Sequence, residues 1–396
     1  MQWQQGHFEI CLWRFSLPIA IALVLLQQSG RLSAETATRA VVHPLRGEFA
    51  IGKDGRLLVL PVRVGRREFL CLLDTGARLS GFDVSLREML GDPEEYRMLA
   101  TPAGMRRVEA FHWPEATLGG QPLRTEKPVV CMPLDEIRSA TNQDILGVIG
   151  MDVLRSCRLQ IDFDRGVLSL LESLPENRDE LGEKVAIRFL DDAIPVIFGR
   201  IGDDTIEPFL IDTGAQGNSL GTDFYDTLLE RDEIRSGSSS TSVTVAGQVH
   251  SPRGRLRRFS VGPFTHQELR FSRLNLSSLG IRYFSRFKVT FDFPGECVYM
   301  SKSAQFDKPE PRATSGLVLQ WVEGATIVQS VRADGPGAAA GLKAGDALVR
   351  INGEDASEYD PFALRELLTS KRGRRVPMTI RRGAREFEVA LVLDEG

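Results

Sequence analysis

Two aspartates in this 396-residue chain each close an apolar run and open the same four-residue turn. They are Asp74, in Leu70–Leu79 (LCLLDTGARL), and Asp212, in Phe209–Leu220 (FLIDTGAQGNSL). A carboxylate at the end of an apolar run loses hydration unless something pairs with it. Glycine two residues later (Gly76, Gly214) permits a tight turn that a side chain would block. One Asp-x-Gly is an ordinary strand running into a surface turn. Two copies with the same apolar approach and the same following alanine (Ala77, Ala215) point to chemistry. Two carboxylates within hydrogen-bonding distance cannot both ionise easily, so the pair shares one proton over a wide pH range. The ionised member then takes a proton from a water, and the protonated member polarises a carbonyl oxygen. The water attacks an amide carbon and gives a tetrahedral diol, with no covalent enzyme intermediate. The apparent pKa values belong to the pair and are assigned to neither residue.

Such a site needs one aspartate from each of two symmetric halves, and the surrounding elements supply them. Val59 onward reads as strand, LVLPVRV then REFLCLL, broken by a Gly-Arg turn and ending at Asp74. Phe82, Leu86, Met89 and Leu90 predict a short helix that Gly91 stops. Pro128–Pro133 reads as a strand, and Ile145–Leu154 leads to a hairpin turning at Asp164–Gly166. After a polar linker at Leu174–Glu183 the pattern starts again. AIPVIFG echoes LVLPVRVG, EPFLIDTGA echoes the first aspartate stretch, and a helix follows at Phe224–Leu229. Ser278–Met300 lies over Val148–Leu170 without a gap, aligning Gly150 with Gly280 and Asp162 with Asp292. The DTGA copies are 138 residues apart, too long a period for a solenoid. This is an internal duplication. Ser301–Thr314 reads as a second linker, and a segment of different character closes the chain. Within it, Asn352-Gly353 is a hairpin turn and Asp360-Pro361 a helix start.

Length and composition fit this division. Apolar content of 42% and charge of 26% describe ordinary globular material with room for two or three cores. The net charge of −4 argues against a polyanionic partner. Five cysteines show neither C-x-x-C nor zinc-ligand spacing, and spacing leaves Cys71, Cys131, Cys157 and Cys297 open as thiols or disulfides. Arg14 precedes an apolar run, Phe15–Leu26, of signal-peptide length, with small residues at Leu32-Ser33-Ala34. Export to the periplasm, the cell envelope or the medium is expected. An uncleaved membrane anchor is the alternative for residues 1–34.

The chain resembles a single-chain, two-lobed aspartic protease of the retropepsin-like class, followed by a PDZ domain of bacterial type. The residues that carry the first resemblance are LLDTGA at 72–77 and LIDTGA at 210–215, with Val148-Ile149-Gly150 and Ser278-Leu279-Gly280 downstream. The fold class it implies is mainly β: two retropepsin-like lobes at 44–174 and 184–302, then a PDZ α+β domain at 315–396. It implies catalytic Asp74 and Asp212 facing across the lobe interface. Thr75 and Thr213 would brace the loops through a hydrogen-bonded grip, and Gly76, Ala77, Gly214 and Ala215 would complete the turns. It implies a protein or peptide substrate and neither metal nor cofactor. A flap hairpin closes over substrate in that class; TPAG (Ala103, Gly104) and TVAG (Ala246, Gly247) occupy comparable places in the two lobes. Two departures stand out: Ser278 is polar where the class has an apolar residue, and neither TPAG nor TVAG carries the tyrosine typical of pepsins. Alanine after each DTG removes a hydroxyl that would bond the carboxylate, so a mildly acidic pH optimum is expected.

The PDZ resemblance rests on Gly341-Leu342-Lys343-Ala344-Gly345-Asp346 and Ile351-Asn352-Gly353. It implies that Ser315 to Leu319, with Gly316, Leu317 and Val318 between, offers N–H groups to the carboxylate of a C-terminal peptide tail, which would add as a strand. A PDZ module that only packs against its neighbours is the competing expectation. Gly217–Gly221 matches G-x-S-x-G, but its strand has already ended at Asp212, so Ser219 is expected to be structural, like Ser80 at a comparable place in the first half. Arg253, Arg255 and Arg257 alternate onto what is expected to be a solvated strand face. Without stacking aromatics they do not suggest nucleic acid. His43, His112, His250 and His266 lack metal spacing and read as core or surface histidines. The rival function is a protease-fold binding protein that does not cleave and acts through its PDZ domain. An enzyme that pairs lobes between two chains is a third possibility.

Overall fold

The structure is a computed structural model that describes residues 47–52, 56–101, 104–237, 240–244, 247–311 and 313–395. The N-terminal segment expected to direct export lies outside the described residues.

Lobe 1 opens with β1 (Gly47–Ala50), then β2 (Val59–Val64) and β3 (Arg67–Leu73), a hairpin whose Gly65 adopts φ 57°. The alternation in β2 is strict: Leu60, Val62 and Val64 are buried while Pro61 and Arg63 are exposed. β4 (Gly81–Asp83), the hairpin β5 (Glu95–Thr101) and β6 (Gly104–Phe111), and β7 (Val129–Met132) complete one side of the sheet. Helix α1 (Asp135–Thr141) then leads to β8 (Ile145–Ile149), which runs parallel to β3 and antiparallel to β4. Phe82, expected in a helix, lies in β4, because its ring is wanted under the sheet against Phe69 and Trp113; helix begins only beyond Asp83.

β9 (Arg158–Asp162) and β10 (Val167–Leu170) form the expected hairpin, turning at Gly166 with φ 70°. Lobe 2 repeats the plan with β11 (Glu183–Leu190), β12 (Ile194–Ile201) and β13 (Thr205–Asp212), then β14 (Asn218–Gly221). A separate two-stranded hairpin, β15 (Ser240–Thr244) with β16 (Gly247–Ser251), follows. β17 (Ser278–Gly280) is parallel to β13 and antiparallel to β14, as β8 is to β3 and β4. β18 (Phe287–Asp292) and β19 (Cys297–Lys302) end the lobe.

The lobes are fused by hydrogen bonds. β9 pairs antiparallel with β18, Leu159 opposite Phe291, so six strands run β1-β10-β9-β18-β19-β11 across the seam. One hydrophobic core accordingly runs through both lobes, from Leu58 to Phe306.

Both presumed linkers are packed. In 174–183, Leu174 and Leu181 pack with Cys297 and Tyr299. In 301–314, Phe306 is buried in the aromatic cluster of lobe 2, and Arg286 donates to the carbonyls of Phe306 and Lys308 and pairs with Glu310. The arginine face expected to be solvated is half covered by the same segment, since Arg255 Nη2 donates to the Pro311 carbonyl at 2.6 Å. Arg257 and Arg258 do reach the surface, paired with Asp232 and Asp203. Cys71, Cys131, Cys157 and Cys297 are buried thiols. His266 packs edge-on against Tyr283 and Phe287 and tilted against Phe306, and burial drives its pKa down to about 4, so it stays neutral.

The C-terminal domain has its own core, around Trp321, Val328, Ile351, Leu364 and Ile380. One of its two edge strands is β20 (Leu317–Val322), which pairs with Ala325–Val331. The Asn352-Gly353 turn joins Ala347–Ile351 to Glu354–Asp355 with φ 55° and 87°, the left-handed pair that asparagine and glycine accept. Helix α2 (Pro361–Leu367) starts at Asp360, whose carboxylate accepts from the N–H groups of Phe362 and Ala363.

Candidate active site

Each aspartate arrives at the centre because its strand is buried. β3 lies between β2 and β8 and is buried on both faces, through Leu72 and Leu73; β13 is buried the same way through Leu210 and Ile211. The backbone then turns, with the N–H of Ala77 donating to Asp74 O and that of Ala215 to Asp212 O, both at 3.3 Å. Short helices seat the loops from behind. Met151 N–H donates to Ala77 O, and Ile281 N–H to Ala215 O, both at 2.8 Å.

The two loops are locked by their threonines. Thr75 N–H donates to Thr213 Oγ1, and Thr213 N–H to Thr75 Oγ1, both at 3.0 Å. Thr75 Oγ1 donates to the Ile211 carbonyl at 2.5 Å, and Thr213 Oγ1 to the Leu73 carbonyl at 2.7 Å. Both side chains are fully buried, so all four bonds are shielded from water. Leaving any of these groups unpaired would cost about 1–3 kcal/mol.

The carboxylates meet above this grip. Asp74 Oδ1 accepts from Gly76 N–H at 2.8 Å and Ala77 N–H at 3.2 Å; Asp212 Oδ1 accepts from Ala215 N–H at 2.9 Å. The glycines cross over. A Cβ on Gly214 would sit 2.5 Å from Asp74 Oδ2, and one on Gly76 would sit 2.9 Å from Asp212 Oδ1. Close approach, as well as the turn, demands glycine here. Burial raises the pKa of both carboxylates, and the charge of Asp74 raises Asp212 further, to about 7. The backbone N–H bonds oppose this and do not overcome it. The arrangement favours one proton on the pair near neutral pH.

The remaining expected residues fall in three places. Gly104 and Gly247 begin the returning strands of the hairpins β5–β6 and β15–β16, paired with Thr101 and Thr244; Ala103 and Ala246 lie outside the described residues. Gly316 has φ 68°, and Leu317, Val318 and Leu319 lie in edge strand β20. Here two of the N–H groups expected to face a carboxylate are already engaged. Gly316 N–H donates to Thr314 Oγ1 and Leu317 N–H to Ser315 Oγ, each at 3.2 Å. Ser219 is structural: its hydroxyl donates to the Leu276 carbonyl and bonds Ser278 Oγ, which also explains the polar residue at 278.

The counterpart of Ser80 proves to be Asn218, one residue earlier than expected. Ser80 Oγ accepts from Gly150 N–H at 3.0 Å, and Asn218 Oδ1 from Gly280 N–H at 3.2 Å. Asp152 was missed altogether. It accepts from the N–H and hydroxyl of Ser80, and burial raises its pKa to about 6. A carboxylate inside ILGVIGMDVL was the available signal. Among the described residues no three metal-ligating side chains gather.

Residues 197–281 match the family model described as aspartyl protease, and residues 327–382 the one described as PDZ domain. The first match takes in Asp212, Thr213, Gly214 and Gly280. Among solved structures the chain is similar to a photosystem II D1 C-terminal processing protease, at 17% identity over 22% of this chain and 24% of that one, TM-score 0.21. It is also similar to the HtrA3 PDZ domain bound to a phage-derived ligand, at 19% identity over 21% of this chain and 86% of that one, TM-score 0.19. The chain thus spans about a quarter of the processing protease. No curated protein matches.

Proposed function

We propose that this chain, which carries an aspartyl protease-like domain and a PDZ domain, is an exported aspartic endopeptidase. Asp74 and Asp212 share one proton, and the ionised carboxylate takes a proton from a water that attacks the substrate amide carbon. The protonated carboxyl donates to the carbonyl oxygen as the diol forms. The observation that carries this reading is the reciprocal Thr75–Thr213 grip, which seats one carboxylate from each lobe against the glycine of the other. The hairpins β5–β6 and β15–β16 are the flap candidates, and the PDZ domain recruits protein or peptide partners through their C-terminal tails.

Cleavage of an unbiased peptide mixture by residues 35–396 between about pH 3 and pH 8 tests this, beside Asp74→Asn and Asp212→Asn. Groups acting as a unit are non-additive, so either single substitution should cost about as much as both together, on the order of 10³-fold or more. Activity surviving one substitution would refute a shared dyad. A folded chain silent across the whole range would point to the non-cleaving binding protein.

A further inference from the structure

Helix α1 of lobe 1 packs against β20 and against α2 of the C-terminal domain. Those two elements face each other across a groove. Leu319 and Trp321 of β20 share a core with Leu364 and Leu368 at α2, and the Arg365 guanidinium lies 5.5 Å from the centre of the Trp321 ring. Among the described residues the sheet has no strand beyond β20, which leaves there an edge that an extended peptide would join. Instead Arg365 Nη2 donates to the Ala140 carbonyl at 2.7 Å, taking one of the last-turn carbonyls that α1 cannot satisfy internally. A second tie lies at the start of α2. Arg56 of lobe 1 pairs with Asp360 at 3.1 Å and covers the buried Phe362 ring at 5.0 Å, with Arg282 of lobe 2 also over that ring at 6.0 Å. The N–H groups of Gly316 and Leu317 donate to the domain's own Thr314 and Ser315 hydroxyls, bonds that an incoming carboxylate replaces.

We propose that α1 is the resident occupant of the groove between β20 and α2, and that a protein C-terminus with a free carboxylate binds there by displacing it. Covering a sheet edge with a helix is an ordinary way of protecting it, but the anchoring of α1 gives its displacement a consequence. Arg138 pairs with Asp83 at 2.9 Å, and Leu134 N–H donates to the same carboxylate at 2.8 Å. Asp83 ends β4, the neighbour of β8, which in turn flanks the strand leading to Asp74. α1 also lies beside β15 of the lobe 2 hairpin. Filling the groove therefore loosens elements around the dyad; this last step rests on the protease reading, whereas the displacement itself does not.

The test uses a fluorescein-labelled pool of short peptides ending in a free valine carboxylate, with the same pool amidated, on the full chain. Arg56→Glu sets a carboxylate against Asp360 at the start of α2 and removes no contact made by α1. Arg365→Met removes the bond to α1 and keeps an apolar stem. If α1 occupies the groove, Arg56→Glu binds the free-acid pool about tenfold more tightly than wild type, because the competent fraction rises. Arg365→Met shifts the same way, and the amidated pool loses binding. In the wild-type chain, saturation with the free-acid pool should speed amide exchange at 138–142. Equal affinities with unchanged exchange at α1 would overturn the proposal, as would absence of free-acid binding to all three proteins. Faster exchange with an unaltered cleavage rate would remove the link to the dyad and leave the displacement standing. Because binding and exchange need no proteolysis, failure of the protease reading would show separately.

Discussion

In lobe 1 the Ser80 hydroxyl that receives Gly150 N–H donates its own hydrogen bond to a buried carboxylate, Asp152. In lobe 2 the amide that receives Gly280 N–H donates instead to a neutral carbonyl, that of Arg270. The place of Asp152 is taken there by Arg282, whose side chain turns toward Phe362 of the C-terminal domain. The loops that hold the aspartates are thus repeated almost atom for atom, while the layer beneath them has diverged. Lobe 1 keeps a titratable support; lobe 2 gives the position to docking. Duplication preserved what two carboxylates need from each other and released what only one lobe needs.

The largest effects should come from the crossing glycines. Gly214→Ala should abolish cleavage and cost about 3 kcal/mol or more, since its Cβ would meet the Asp74 carboxylate, which the N–H groups of Gly76 and Ala77 hold in place. Gly76→Ala, less crowded, should lose activity with a smaller stability cost. Equal costs in denaturant unfolding would break the asymmetry. Next come Thr75→Val and Thr213→Val, each expected to cost about 2–4 kcal/mol by stranding a buried N–H and a carbonyl. Because they share one grip, the double variant should cost clearly less than the sum, and additivity would show the bonds to be independent.

Titration gives a third contrast. The pKa of Asp212 is raised above its unfolded value, so the native state holds protons that the unfolded state has released. Its contribution to stability is full below about pH 4, and it is lost as pH rises toward about 7. Asp212→Asn should therefore raise the melting temperature by a few degrees at pH 7.5 and change it little at pH 4. A rise of equal size at both values would mean the charge is not the cause. The smallest effects belong to the supports. Ser80→Ala should cost about 1–2 kcal/mol, and more above pH 6, where Asp152 ionises and relies on that hydroxyl. Asn218→Ala should cost a similar amount with no such pH dependence; matching pH profiles would erase the difference between the lobes.

Much of this was legible in the chain because it is local. An apolar run ending in Asp-Thr-Gly-Ala specifies both strand and turn, and Asn352-Gly353 and Asp360-Pro361 specify theirs. What was not legible depends on partners remote in sequence. Phe82 reads as helical by spacing, yet parallel pairing of β4 with β7 claims it for a strand. The polar look of 301–314 hides Phe306, whose fate is decided by Arg286 and the aromatic cluster. Arg253, Arg255 and Arg257 alternate like a solvated face, and only the returning segment, which takes a bond from Arg255, shows that the face is half covered. The Ser80–Asn218 match was missed because a hydroxyl and an amide do one task from the same position. The seat of α1 against β20 joins elements some 180 residues apart that share no pattern at all.

The strand seam between β9 and β18 has a consequence for how the proposed enzyme behaves on dilution. A dyad assembled from two separate chains exists only at concentrations above the dissociation constant of the pair. Here both halves lie on one chain and close through a ladder, with Arg158 paired to Asp292 across it at 2.9 Å. Assembly is intramolecular, and the partner half is always present at a fixed effective concentration. Specific activity should then stay constant however sparse the protein becomes, and a dilution series of the cleavage assay reads this directly.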